Sequence, residues 1–276
     1  MERLEPSDIP EQLISEIQHR VTDFTVGLVQ LGDGDAYLRG SGTLIELGSS
    51  RAILTAHHVL DVLPTTGRVG MILSPDISAF TVETAGLHYL GIARGNEHEL
   101  GPDLGAIILP PDAPSSLVAK KSFVNLAKHR ERMLQAPPET DDGLWCVSGY
   151  QDELTDDIEP SRGFKRVKRF RGFMPIGCVK EAPVSNAFDY FTFPVPHRAG
   201  LPMPDRIGGT SGAGLWQITL ARDSDGHLKV KDCLLSGVAF YQGPVQKGSS
   251  LVRCHGRSSV YKSVYCALQG RAGVLK

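Results

Sequence analysis

The stretch T-A-H-H-V, Thr55–Val59, decides how this chain is read. It follows R-A-I-L, Arg51–Leu54, a short apolar run of strand composition. An imidazole at a strand end is useful as a base only if a carboxylate orients it. Forty-five residues after His58, Asp103 opens D-L-G-A-I-I-L, Asp103–Leu109. Further on, Ser211 sits in the tight turn G-T-S-G-A, Gly209–Ala213. A serine hydroxyl is a poor nucleophile at neutral pH; it needs an imidazole to take its proton, and that imidazole needs a fixed tautomer. The three residue types occur in the chain order His, Asp, Ser, each beside a strand-like run.

These settings resemble the trypsin/chymotrypsin family of serine proteases, over about residues 24–270. The order matches that family and not the subtilisin or α/β-hydrolase order. The resemblance implies an all-β fold of two antiparallel six-stranded β-barrels, here preceded by a short N-terminal helix. It implies His58 as base, Asp103 as its orienting carboxylate and Ser211 as nucleophile. The backbone N–H groups of Gly209 and Ser211 would form the oxyanion hole. Of the two adjacent histidines, the family pattern T-x-x-H-V selects His58. His57 is expected to be partly buried, with one hydrogen bond.

The organisation follows the same division. Residues 1–23 read as a helical extension, with Leu13, Ile14, Ile17 and Val21 at helical spacing and Pro10 at its start. Residues 24–118 read as the first barrel, with short apolar runs between Gly, Asp and Ser turns. Residues 119–276 read as a linker and the second barrel. Strands are expected at 143–150, 164–180, 188–195, 234–241 and 260–265.

The substrate pocket is expected to depart from the family. Asp205, six residues before Ser211, matches the carboxylate that binds basic side chains in trypsins. Leu235–Gly243 resembles a pocket-wall strand, and Phe240, Tyr241 and Gln242 replace its Ser, Trp and Gly. Ser259 replaces a second wall glycine. These larger side chains narrow the pocket. Thr210 stands where trypsins carry the Asp that pairs with a freed amino terminus. Competence as made, or control by a partner or signal, is therefore expected in place of zymogen cleavage. The substrate class implied is protein or peptide. The alternative is a catalytically silent, protease-like module that binds an extended peptide by strand addition.

Composition excludes other classes. The formal net charge is −2 over 276 residues, so no global field draws the chain to nucleic acid or membrane. The basic run 162–171 follows an acidic one, 152–159, which fits pairing across a turn better than a nucleic-acid patch. The five cysteines include no C-x-x-C pair and none beside His58 or Ser211. Neither a metal nor an organic cofactor is expected, and the adjacent Cys254-His255 is a weak metal candidate. The odd cysteine count and the absence of a secretory signal point to a reduced, cytoplasmic protein. The chain is similar in this respect to signal-less bacterial trypsin-like peptidases, some of which act in stress or antiviral defence.

Overall fold

A computed structural model of the chain describes residues 9–32, 35–74, 80–111, 115–158, 167–185, 187–197 and 208–272. The amphipathic N-terminal pattern forms α1, Glu11–Thr22, with Pro10 at its N-cap. Leu13, Ile17 and Val21 are its buried stripe.

The first sheet begins with β1 (Thr25–Gly32), β2 (Asp35–Leu47) and β3 (Ser50–Thr55), an antiparallel meander. The short helix α2 (His57–Val62) follows β3 directly. Then come β4 (Arg68–Ile72), β5 (Phe80–Glu83), β6 (His88–Arg94) and β7 (Asp103–Ile108). Their order is β5-β4-β1-β2-β3-β7-β6. The connecting segment carries α3 (Ser115–Lys120), β8 (Val124–Asn125) and α4 (Leu126–Gln135). β8 adds a parallel pair to β2. Asn125 caps α4 by accepting the Lys128 N–H at 2.9 Å.

The second sheet contains β9 (Leu144–Ile158), β10 (Val167–Phe173), β11 (Ile176–Gly177) and β12 (Lys180–Ser185). It continues with β13 (Phe188–Pro196), β14 (Gly214–Arg222), β15 (Leu228–Gln242) and β16 (Ser249–His255). The order is β10-β9-β14-β15-β16-β13-β12, with β11 on β9. All these pairs are antiparallel.

The molecule is thus mostly β, with two antiparallel sheets and a short N-terminal helix. Closed six-stranded barrels are not found. Each sheet has eight strands, and no ladder joins β5 to β6 or β10 to β12 among the described residues. In the first sheet the turn after β5 is tied back to Gly67. The Thr84 N–H and hydroxyl both donate to the Gly67 carbonyl, at 2.9 and 3.1 Å. The backbone bond continues the β4–β5 ladder by one register pair.

The expected strand at 260–265 is also corrected. Ser259–Val264 is a π-helical turn that runs into α5 (Tyr265–Ala272). The Asp189 carboxylate caps it, accepting the Ser258 and Ser259 N–H groups at 2.8 and 2.7 Å. Val260, Tyr261, Val264 and Leu268 then share a buried face.

One apolar cluster joins the two sheets. Ile45, Leu54 and Leu104 of the first meet Trp216, Ile218 and Leu235 of the second, sealed by the α1 stripe and by Val260 and Tyr261. A second cluster, around Leu44 and Ile53, also takes in Tyr190 and Phe240 of the second sheet, and a third fills the second sheet around Phe193 and Leu215. Two cations of the described part of the basic run have carboxylate partners. Lys168 lies 2.9 Å from Asp35, and Arg171 pairs with Asp156 across β9 and β10. Residues 162–166 lie outside the described residues. No helix among those described is long and apolar enough to cross a membrane.

All five cysteines are free thiols. Burial pushes the Cys146 and Cys254 thiols well above their ordinary range and Cys233 up to about 11. Cys266 is exposed. A thiol reagent at pH 8 should therefore modify Cys266 first, and Cys146 and Cys254 only on unfolding. Titration of denatured, unreduced protein should find five thiols; a count of three or one would mean that bridges form.

Candidate active site

β3 ends at Thr55, and the chain turns at once into α2, so the two histidines occupy the first helical turn. Successive helical residues point about 100° apart, so the two rings diverge. His57 packs on Gly91, where a Cβ would lie 2.6 Å from its ring. Its Nε2 is 3.8 Å from Asp61, and its buried Nδ1 has no partner among the described residues, so the single close hydrogen bond expected of it is not formed among them. His58 points the other way, with Nδ1 2.5 Å from Asp103 Oδ2.

Asp103 is the first residue of β7, opposite Arg94, and is 5% exposed. Its second oxygen accepts the His58 backbone N–H at 2.9 Å. The carboxylate is therefore gripped at two points by one residue. An ionised carboxylate only accepts, so the His58 proton sits on Nδ1 and leaves Nε2 as the acceptor. Burial acts to raise the Asp103 carboxyl, but the hydrogen bonds and charge of His58 outweigh it and hold it below the usual carboxylate range.

The Ser211 turn is held by both sheets. From the first, the Ser41 N–H donates to the Ser211 carbonyl at 2.8 Å, and the Ser41 hydroxyl donates to the Gly209 carbonyl at 2.7 Å. From the second, the Gly212 N–H donates to the Ala239 carbonyl at 2.7 Å, and the Ala239 N–H returns a bond to Ala213 at 2.9 Å. The glycines make this approach possible. Gly209 and Gly212 have φ of +89° and +87°. A Cβ on Gly40 would meet Val59 at 2.6 Å and the Ser211 carbonyl at 3.0 Å, so the Ser211 turn and the residue next to His58 both close on Gly40. No hydrogen bond links Ser211 Oγ to the His58 ring among the described residues. Catalytic contacts of this kind often tighten only when substrate binds. Nor does a backbone carbonyl engage the Gly209 or Ser211 N–H among them.

The structure divides the expected pocket residues. Tyr241 and Gln242 lie half-buried at the end of β15. The Glu99 carboxylate, hydrogen-bonded to the Tyr241 hydroxyl, raises its pKa. The Gln242 amide donates to Ser250 Oγ at 3.3 Å. Phe240 is buried, its ring 4.8 Å from that of His255. Ser259 is fully buried against Asp189 and lines no cleft; the helical turn at 259 carries it inward. Asp205 lies outside the described residues. A cavity of about 450 Å³ lies beside the segment leading into Asp103, lined by Arg94, Asn96, Glu97, Leu100 and Ser185 among others. It contains no triad residue.

Two polar groups went unread in the sequence. Ser41 is the bracket of the nucleophile turn. His255, a weak metal candidate by sequence, accepts the Asp103 N–H at Nε2, 3.0 Å away, and Cys254 beside it is a buried thiol. Asp223, Asp225 and His227 also cluster. Asp223 there accepts two N–H groups of its own turn and pairs with Lys229 at 3.0 Å.

Burial is the main cause that lowers His255 to about 4, against the pull of Asp103 and Asp189. A histidine in the unfolded chain titrates near 6.5. Between about pH 4 and 6.5 the unfolded state binds more protons, so stability falls as the pH drops through this window. The expected contribution is about 3 kcal/mol. Denaturant titrations at pH 4.5 and 7 should show a smaller pH difference in His255→Leu than in wild type; equal differences would mean the histidine is not held neutral.

Comparison with protein-family models and with curated proteins returns no match.

Proposed function

We infer that this protein is a serine endopeptidase acting on protein or peptide substrates through an acyl-enzyme. The carrying observation is the His58–Asp103 pair, a half-exposed imidazole on a buried carboxylate, set beside a glycine turn that presents Ser211. The two open sheets stand where the resemblance implies two barrels, with the site between them. Ser211 attacks the scissile carbonyl as His58 Nε2 takes its proton. Asp103 keeps the imidazole in the Nδ1–H tautomer and stabilises the imidazolium. The Gly209 and Ser211 N–H groups receive the oxyanion, and each such donor is worth about 3–4 kcal/mol of transition-state stabilisation. The imidazolium then protonates the leaving amine, and water hydrolyses the ester by the same route in reverse. Thr210, which cannot form the ion pair of zymogen activation, favours control by a protein partner.

A fluorophosphonate probe tests this reading. Wild-type protein should be labelled at Ser211, located by peptide mapping, and Ser211→Ala should take up none while melting at nearly the same temperature. A folded wild-type protein that captures peptides, leaves the probe untouched and cleaves nothing would instead be the silent binding module.

A further inference from the structure

The geometry points to His255 as a positioning residue for the catalytic pair: from the second sheet it accepts the Asp103 N–H and so fixes the carboxylate that holds His58. This inference rests on the protease reading above.

Asp103 stands where β7 begins, so its N–H is a buried donor at a strand end. The acceptor is Nε2 of His255, 3.0 Å away and 152 residues distant in the chain. His255 is fully buried at the end of β16, in register with Val238 of β15 and Tyr190 of β13. Three rings wall it in, those of Phe240, Tyr190 and Phe188, with centroids at 4.8, 5.2 and 5.4 Å. This packing leaves the imidazole little freedom to turn.

Its protonation state is also fixed. A ring that accepts at Nε2 carries its hydrogen on Nδ1. Nδ1 faces Ser259 Oγ at 3.4 Å, and that hydroxyl donates to Asp189 Oδ1 at 2.7 Å. Asp189 is itself held by the N–H groups of Ser258 and Ser259. The donors therefore run in one direction, from Asp103 through His255 and Ser259 to Asp189. A charged imidazolium would set N–H against N–H at Asp103. The burial that keeps His255 neutral, against Asp103 and Asp189 and beside Arg253, supports the arrangement.

The inference predicts a difference between two substitutions. His255→Leu keeps apolar volume and removes the acceptor. His255→Gln keeps an amide oxygen that can take the Asp103 N–H. With active sites counted by fluorophosphonate titration, His255→Leu should lower kcat about 10- to 100-fold, the range typical of groups that orient a catalytic ligand, with little change in KM. His255→Gln should recover most of that loss. The second readout is the His58 Nδ1–H proton resonance, which reports the Asp103 contact whether or not Ser211 is a nucleophile. It should move in the Leu variant and stay near its wild-type position in the Gln variant. If the wild type neither labels nor cleaves, the protease reading fails and this resonance alone decides the positioning role. Leu and Gln variants that match each other, both intact or both impaired, overturn it. If the Leu variant does not fold, Ser259→Ala replaces it, because it leaves the ring but removes its Nδ1 partner. That variant should lower kcat per site and shift the resonance; no change in either overturns the role.

Discussion

Asp103→Asn is expected to lower kcat by about 10⁴-fold, with KM nearly unchanged. The amide is close in shape, so the fold and the cleft should persist. It differs in offering a donor where the carboxylate offers only lone pairs. An Asn side chain that keeps the His58 N–H bond turns its NH₂ toward the ring. His58 then carries its proton on Nε2, the face that must accept from Ser211. The loss belongs to the transition state, since imidazolium forms only there. Asn activity within tenfold of wild type would mean that Asp103 does not set the tautomer. The paired histidines extend the test. His58→Ala should be at least as damaging, because triad members act as a unit. His57→Ala should stay within a few-fold, since its ring packs on Gly91 and faces Asp61. The opposite ranking would exchange their roles.

The second large effect is expected at Gly212. Its φ of +87° is strained for any residue with a side chain. A Cβ would also fall 2.1 Å from both the Ser41 carbonyl and Thr55 Oγ1. Thr55 cannot swing aside cheaply, because its hydroxyl donates to that same carbonyl at 2.8 Å. Gly212→Ala should therefore displace the nucleophile turn, abolish fluorophosphonate labelling and destabilise the protein by about 3 kcal/mol or more. Gly48 supplies the control. Its φ is +60°, but a Cβ there meets nothing within 4 Å. Gly48→Ala should cost about 1–2 kcal/mol of backbone strain and leave labelling intact. Similar melting and labelling in the two variants would refute the close-approach argument.

Local pattern carried the reading of the sequence a long way. His58, Asp103 and Ser211 each adjoin a run whose strand character or glycine content is visible within a few residues. The α1 stripe follows from helical spacing alone. What escaped depends on partners far along the chain. Ser41 acts on Gly209, 168 residues away, and no local feature marks it among serines. His255 read only as half of a weak metal candidate with Cys254, since Asp103, its partner, lies 152 residues away. The Val260–Tyr265 stretch is rich in β-branched and aromatic residues, yet a cap from Asp189 makes it helical. Barrel closure is likewise not a property of any one segment. It turns on whether two terminal strands meet, and β5 and β6 do not pair among the described residues.

Ser41 and Thr55 belong to the first sheet, Ala239 to the second, and the turn between them belongs to neither alone. The imidazole sits on α2 and its carboxylate on β7 of the first sheet, while the hydroxyl sits on the turn held by both. On the protease reading, the chemistry is therefore not a domain that can be copied, lent or inherited separately. A fragment carrying one sheet alone would lack either the His58–Asp103 pair or the bracket of the Ser211 turn, and should not cleave. On that reading the seam matters as much as the three side chains, and residues such as Trp216 and Leu54 that pack there would serve the reaction without touching substrate.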